Sequence, residues 1–234
     1  MRRSEHRTPL SKIERDRLYP GLSNPSFLVL RSRRMIFDSW INRLAGDALK
    51  ILDIGGRYQP YRRLFGDRVA RYIACDILSS DLVDVMASGE CLPFAADTFD
   101  VVISTQVFEY FQNPAKAGAE VYRVLKPGGV LLMSVASLAP RFVDEECWRF
   151  TRGGIRATLS SFSSIEIIPE TTSPAGLIRL MNLGLHSFTR YAPVRKLYEF
   201  TICPCLNLIG LAVESAKLTS NDQFAANYSV FARK

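Results

Sequence analysis

The chain has 234 residues, 47% hydrophobic and 23% charged, with a formal net charge of +7. Those proportions exclude a disordered or fibrous chain and allow one sizeable core without requiring two domains. The cysteines (Cys75, Cys91, Cys147, Cys203, Cys205) are odd in number, their one close pair reads C-P-C, and the histidines are far apart, so neither a disulfide framework nor a zinc site is supported.

The charge is uneven. Residues 1–34 hold nine Lys/Arg against three acids, which is +6 of the +7. Residues 1–25 lack periodicity and contain Pro9, Pro20 and Pro25, so they read as a basic flexible arm ahead of a single domain over 26–234. Such an arm suits a solvated tail or contact with an anionic membrane surface; no aromatic-interleaved basic stripe follows, and nucleic acid is not the expected partner. A charged N-terminus where a signal peptide carries its apolar core gives the expectation of a reducing, cytoplasmic setting.

Apolar residues from Phe27 to Leu44 recur at helical spacings, which predicts a covering helix over 26–44. Strand and helix signals then alternate. Strands are expected at 49–54, 71–77, 82–86, 99–105 and 130–135, with a helical turn at 61–65. Residues 113–129 read as a helix capped by Asn113, with Pro114 in its first turn, and stopped by Pro127-Gly128-Gly129. A sixth strand is expected at 165–170 and a last one within 224–234. The stretch 171–222 between them is too long for a plain loop and should form a helical cap. Its most apolar part, 200–213, falls short of the roughly 18–20 residues needed to span a bilayer and reads as a buried or interfacial helix. Together these predict an α/β fold. Its sheet is Rossmann-like, seven-stranded and mostly parallel, with helices on both faces, the last strand antiparallel and the cap inserted before it.

In such a sheet ligands bind at the carboxyl ends of the strands, where Asp53, Asp76 and Thr105 fall. Gly55-Gly56 follow Asp53, and glycine permits close backbone approach and positive φ. Asp76, at the end of the second strand, is placed to accept both hydroxyls of a ribose. The G-x-G-x-x-G phosphate fingerprint is missing, since Arg57-Tyr58-Gln59 stand in its place. A carboxylate beside the loop disfavours a pyrophosphate and suits a nucleoside with a cationic tail. Each aspartate alone reads equally well as a turn residue.

The segments ILDIGG, IACDI, LPF, FDVVIST and RVLKPGG, in that order over about residues 50–150, resemble the class I S-adenosylmethionine-dependent methyltransferases, in particular the type 11 small-molecule and glycan subset. DEECWRFT (144–151) resembles an Asp-x-Trp-Arg-Phe-Thr signature within that subset. The resemblance implies S-adenosylmethionine as cofactor and S-adenosylhomocysteine as product. It implies a cofactor shell of Asp53, Gly55, Gly56, Arg57, Asp76, Ile77, Ser88, Gly89, Glu90, Thr105 and Gln106, with Arg57 and Gln59 in glycine positions and Ser88 where an adenine-binding aspartate aligns. Candidate catalytic residues are Tyr110 and Glu109, and candidate acceptor-binding residues are Trp148 and Arg149. Each also has a structural reading: packing for Tyr110 and Trp148, a helix-start charge for Glu109, and a loop staple for Arg149. The expected reaction is methyl transfer to oxygen or nitrogen of a small-molecule, glycan or lipid-linked acceptor, without metal assistance. A non-catalytic relative binding a nucleoside or a partner protein is the alternative. Peripheral membrane contact through the arm and the apolar cap accompanies the lipid-linked option.

Overall fold

The structure is a computed structural model that describes residues 11–189, 191–216 and 221–234. Seven strands form one sheet: β1 (Leu49–Ile54), β2 (Val69–Asp76), β3 (Val85–Met86), β4 (Phe99–Thr105), β5 (Leu125–Ala136), β6 (Ser164–Pro169) and β7 (Asn227–Arg233). Their order is β3-β2-β1-β4-β5-β7-β6. The pairs from β3 through β5 are parallel, while β7 runs antiparallel between β5 and β6. The predicted fold class is therefore the observed one.

Strand alternation divides the core into two layers. Leu52, Ile54, Val102, Leu131 and Met133 face α3 (Pro114–Val124) and α4 (Arg152–Thr158). Ile51, Val101, Ile103, Val130 and Leu132 face α2 (Phe27–Asn42), which contributes Phe37, Trp40 and Ile41. Both faces of the central strands are covered, which is why their sequences are nearly continuous apolar runs.

Three features differ from the sequence reading. Residues 11–25 are not a free arm: α1 (Lys12–Leu18) is closed by a capping box in which Ser11 and Glu14 satisfy each other's backbone N–H. Leu18 is buried against α2, and that single apolar anchor holds the short basic helix to the domain. Arg2, Arg3 and Arg7 lie outside the described residues. Helix α3 is capped by Asn113 as expected but ends at Val124, because Leu125 already pairs with Phe99 of β4. Thr151 caps α4, an element hidden in the sequence by its two glycines.

The cap comprises α5 (Ser173–Phe188), α6 (Ala192–Phe200) and α7 (Ile202–Ser215). Helices α6 and α7 meet at Thr201, and together Ala192–Ser215 make a 24-residue run long and apolar enough to cross a membrane by length and composition alone. The apolar segment is thus longer than the 200–213 window suggested, because α6 adds Val194 and Leu197 ahead of it. The cap helices are amphipathic in the inverse sense. Ser173, Gly176, Arg179 and Asn182 of α5 and Asn207 and Gly210 of α7 face inward. Leu177, Met181, Leu185, Ile202, Leu208 and Ile209 face outward and are exposed. Asn182 donates to Asn207 across the pair at 3.2 Å, and the Tyr198 hydroxyl donates to the Asn182 carbonyl at 2.9 Å.

Candidate functional site

Asp53, Thr105 and Ser134 share the strand parity that faces α2, so the alternation alone aims all three to one side at the carboxyl ends of β1, β4 and β5. The sheet order reverses between β1 and β4, where a parallel sheet opens its ligand crevice.

Gly55 makes the turn out of β1 with φ +76° and donates its N–H to the Cys75 carbonyl at 2.8 Å. A Cβ there would lie 2.3 Å from Val107 Cγ2, and one on Gly56 would lie 2.8 Å from Asp53 Cγ. Gln59 occupies a positive φ of 44°, so the loop keeps a left-handed residue although the glycine is gone. Its side chain donates to the Leu82 carbonyl at 2.6 Å and ties the loop to the β2–β3 connection. Arg57 lies over the Tyr58 ring, guanidinium carbon 4.9 Å from the centroid, and its buried Nε has no hydrogen-bond partner among the described residues.

Asp53 is buried, and the Tyr72 hydroxyl donates to its Oδ2 at 2.6 Å. Burial pushes its pKa up to about 7; the Tyr72 bond opposes the rise and the nearby Asp76 adds to it. Asp76 is half-buried at the end of β2, with Oδ1 accepting the Leu78 N–H at 2.9 Å. Neither aspartate has an ion-pair partner among the described residues. Ile77 beside Asp76 is exposed, as an apolar face for a base requires. Ser88 spends its hydroxyl on the Glu90 N–H at 3.2 Å, and Glu90 in turn accepts the Asn113 N–H at 2.8 Å ahead of α3. Gly89 is buried against Phe111. At the end of β4 Thr105 is half-buried, and Gln106, with φ 57°, donates its side-chain amide to Ser134 Oγ at 3.1 Å.

The residues expected on the acceptor side divide. Tyr110 is 40% exposed beside the cleft, its hydroxyl 3.5 Å from Glu146. Glu109, expected as an accessible base, is instead sealed in the interior. Its carboxylate accepts the Ala136 N–H at the end of β5, and its carbonyl accepts the N–H groups of Cys147 and Trp148 at 2.7 and 3.1 Å. Burial pushes its pKa up to about 7, and Oε2 has no hydrogen-bond partner among the described residues. Arg149, expected to hold the acceptor, donates to the carbonyls of Ala139, Pro140 and Trp148 and to Glu146, so it staples the loop after β5. Trp148 is partly exposed while its indole N–H donates to the Phe111 carbonyl at 2.7 Å.

Sequence reasoning missed a polar cluster on the α2 side. Arg33 forks onto Glu170, which also accepts from Ser134, Ser229 and Asn227. Tyr72, which donates to Asp53, was missed as well. Only the strand parity of Ser134 and Ser229 could have pointed there. A cavity of about 540 Å³ lined by Met35, Trp40, Ile168, Glu170 and Leu211 borders this cluster and is lined by none of Asp53, Asp76 and Thr105. The convergence of side chains therefore locates the site better than cavity size does.

A buried carboxylate without a cation, a second acid at the neighbouring strand end and a glycine turn between them fit a nucleoside with a cationic tail. The sheet order and these strand ends form a ligand crevice between β1 and β4, in the part of the chain that matches a methyltransferase-domain family. Residues 52–133 match the family model described as a methyltransferase domain. An uncharacterized methyltransferase of Mycobacterium avium is 33% identical over 96 residues, covering 36% of this chain and 38% of that protein. One of Mycobacterium tuberculosis is 31% identical over 114 residues, covering 43% and 45%. The chain thus matches less than half the length of these relatives. Among solved structures, phosphoethanolamine N-methyltransferase 2 of Haemonchus contortus in complex with S-adenosyl-L-methionine superposes with a TM-score of 0.53 over 95% of this chain and 59% of that one, at 14% identity. The [4+2]-cyclase SpnF gives 0.53 over 87% and 80%, at 18% identity. At these identities the likeness is one of fold.

Proposed function

We propose that the protein transfers a methyl group from S-adenosylmethionine to oxygen or nitrogen of a small, glycan or lipid-linked acceptor. The observation that carries this reading is the buried, cation-free Asp53 one strand from Asp76, with the Gly55 turn between them. S-adenosylmethionine supplies an electrophilic methyl when bound. Asp53 holds the cationic tail, directly or through water, and Asp76 accepts the ribose hydroxyls. Gln106 and Thr105 floor the site, and Tyr110 orients the acceptor at its mouth. The chain's contribution is alignment and exclusion of water rather than acid–base chemistry, in keeping with a Glu109 that is withdrawn into the core.

The inverse amphipathicity of the cap supports the lipid-linked option. An apolar exterior over an Asn182–Asn207 interior is the pattern of helices that lie against lipid rather than water. Arg195 and Lys196 on α6 are exposed beside that apolar face, where they can meet anionic headgroups.

Thermal-shift titration tests the cofactor. S-adenosylmethionine and S-adenosylhomocysteine should raise the midpoint saturably, by about 2.7 kcal/mol of stabilisation at a hundredfold excess over Kd, and NAD should not. No shift with either sulfur nucleoside would favour the non-catalytic alternative, a reading the cyclase on the same fold keeps in view. Sedimentation with anionic vesicles tests the cap. Leu208→Lys with Ile209→Lys should leave the protein folded and in the supernatant, and a wild type that also stays there removes the membrane contact.

A further inference from the structure

Gln106 is joined to Ser134 twice. Its backbone N–H donates to the Ser134 carbonyl at 2.8 Å, and its side-chain amide donates to Ser134 Oγ at 3.1 Å. The two bonds hold Gln106 in the left-handed conformation, φ 57°, at the end of β4. Ser134 in turn donates its hydroxyl to Glu170 Oε1 at 2.6 Å, and Arg33 grips both Glu170 oxygens at 2.8 and 2.9 Å. Ser134, Glu170 and Arg33 are all buried, so the relay from Arg33 to Gln106 is shielded from solvent up to its last member.

Chemistry fixes the direction of this relay. A carboxylate paired with a guanidinium accepts hydrogen bonds and donates none. The single Ser134 hydroxyl hydrogen is therefore committed to Glu170, and Ser134 Oγ offers Gln106 only lone pairs. Gln106 must turn its amide NH2 toward Ser134, which leaves its oxygen Oε1 uncommitted. That oxygen has no hydrogen-bond partner among the described residues, and Gln106 is half-buried, so a ligand can reach it.

Register puts the amide on the side of the sheet that Asp53 occupies. Asp53 of β1 pairs with Ile103 of β4, and Thr105, the next residue of that parity, pairs with Ser134. Asp53 and Ser134 face the same side, so an amide that reaches Ser134 Oγ lies on the Asp53 side, about 7 Å further along the strands. An ammonium carries three N–H donors. Asp53 offers a carboxylate at one end of this span, and Gln106 Oε1 offers a neutral acceptor at the other.

We propose that Gln106 accepts a hydrogen bond from the cofactor's ammonium through its amide oxygen, and that Ser134 and Glu170 are positioning residues that hold the amide in that orientation. This role rests on the methyltransferase reading for the identity of the ligand.

The sheet supplies its own control. Ser229 is the cross-strand partner of Ser134, is equally buried and donates to the same Glu170 oxygen at 2.8 Å, but it makes no hydrogen bond to Gln106 among the described residues. The experiment is calorimetric titration of the full chain with S-adenosylhomocysteine and with its deaminated analogue, which keeps the carboxylate and lacks the ammonium. Wild type, Ser134→Ala, Ser229→Ala and Gln106→Met are compared. Ser134→Ala and Ser229→Ala should lower the thermal midpoint alike. Only Ser134→Ala and Gln106→Met should weaken S-adenosylhomocysteine, by about fivefold, the size of one lost hydrogen bond. Neither should weaken the deaminated analogue. Ser134→Ala added to Gln106→Met should cost no further affinity, because Ser134 acts through Gln106. Should Ser134→Ala not fold, Ser134→Cys takes its place, since a thiol keeps the volume and is a poor partner for both neighbours. Equal weakening by Ser134→Ala and Ser229→Ala, or equal weakening of both ligands by Gln106→Met, overturns the proposal. A wild type that binds S-adenosylhomocysteine as tightly as Ser134→Ala does removes the positioning role and leaves the methyltransferase reading standing. A wild type that binds neither ligand removes that reading and this role with it.

Discussion

Arg33 and Glu170 are 137 residues apart in the chain and form a two-pronged ion pair, 2.8 and 2.9 Å, from which solvent is excluded. The pair bolts α2 to the segment that leaves β6. Removing one partner strands a charge in the interior, so Arg33→Ala or Glu170→Ala should each cost about 3–5 kcal/mol in urea unfolding. Arg33→Met combined with Glu170→Met should cost clearly less than the sum of the single losses. A single substitution costing under about 1 kcal/mol would show that the pair is hydrated in solution.

Stability should fall as pH rises from about 4 to about 7. Burial raises Asp53 and Glu109 to about 7, so in that window the folded state binds more protons than the unfolded one, and the slope of stability against pH is negative. Glu170, held below its ordinary value against burial by Arg33, contributes the opposite sign: its stabilisation is present above the ordinary glutamate range and is lost as pH drops through its folded value. A maximum on the mildly acidic side follows. Asp53→Asn should flatten the descending limb in thermal scans from pH 5 to 8, and an unchanged limb would assign it to Glu109 alone.

Cofactor affinity should follow the ionisation of Asp53 in the opposite direction. S-adenosylmethionine should bind more tightly as pH rises through about 7, because the cationic tail needs the carboxylate. Tyr72→Phe removes a hydrogen bond that favours the ionised form, so it should move that midpoint upward. Calorimetric titrations at pH 6, 7 and 8 read both effects, and a pH-independent affinity would remove Asp53 from the tail.

Asp76→Ala should abolish the S-adenosylmethionine shift in thermal scans while leaving the apo midpoint within about 0.5 kcal/mol of wild type, since the side chain is half-buried and caps only the following turn. Retained affinity would withdraw the ribose assignment.

Two glycines with positive φ should respond differently to alanine. Gly55→Ala meets both backbone strain and the Val107 side chain at 2.3 Å, so it should cost more than the about 1 kcal/mol of strain alone and impair cofactor binding. Gly128→Ala has the same φ of +76° but open space around it, so it should show the strain only and leave binding intact. Equal effects on binding would mean that Gly55 acts through φ and not through its contact with Val107.

What the sequence determined by itself was local and periodic. Continuous apolar runs specify strands covered on both faces, and the Asn113–Pro114 cap specifies the start of α3, because a helix needs its first N–H groups satisfied whatever surrounds it. The same alternation sends Asp53 and Thr105 to one side of the sheet, so their convergence at the strand ends was legible from spacing. Tertiary structure alone decided the rest, because charges far apart in the chain carry no local signature of their pairing. Arg33 reads as one more basic residue until Glu170 closes on it. Arg149 reads as a free cation until the carbonyls of Ala139 and Pro140 take up its donors, and Glu109 as an accessible base until β5 buries it. Arg179 reads as one more cation until the packing of α5 buries it.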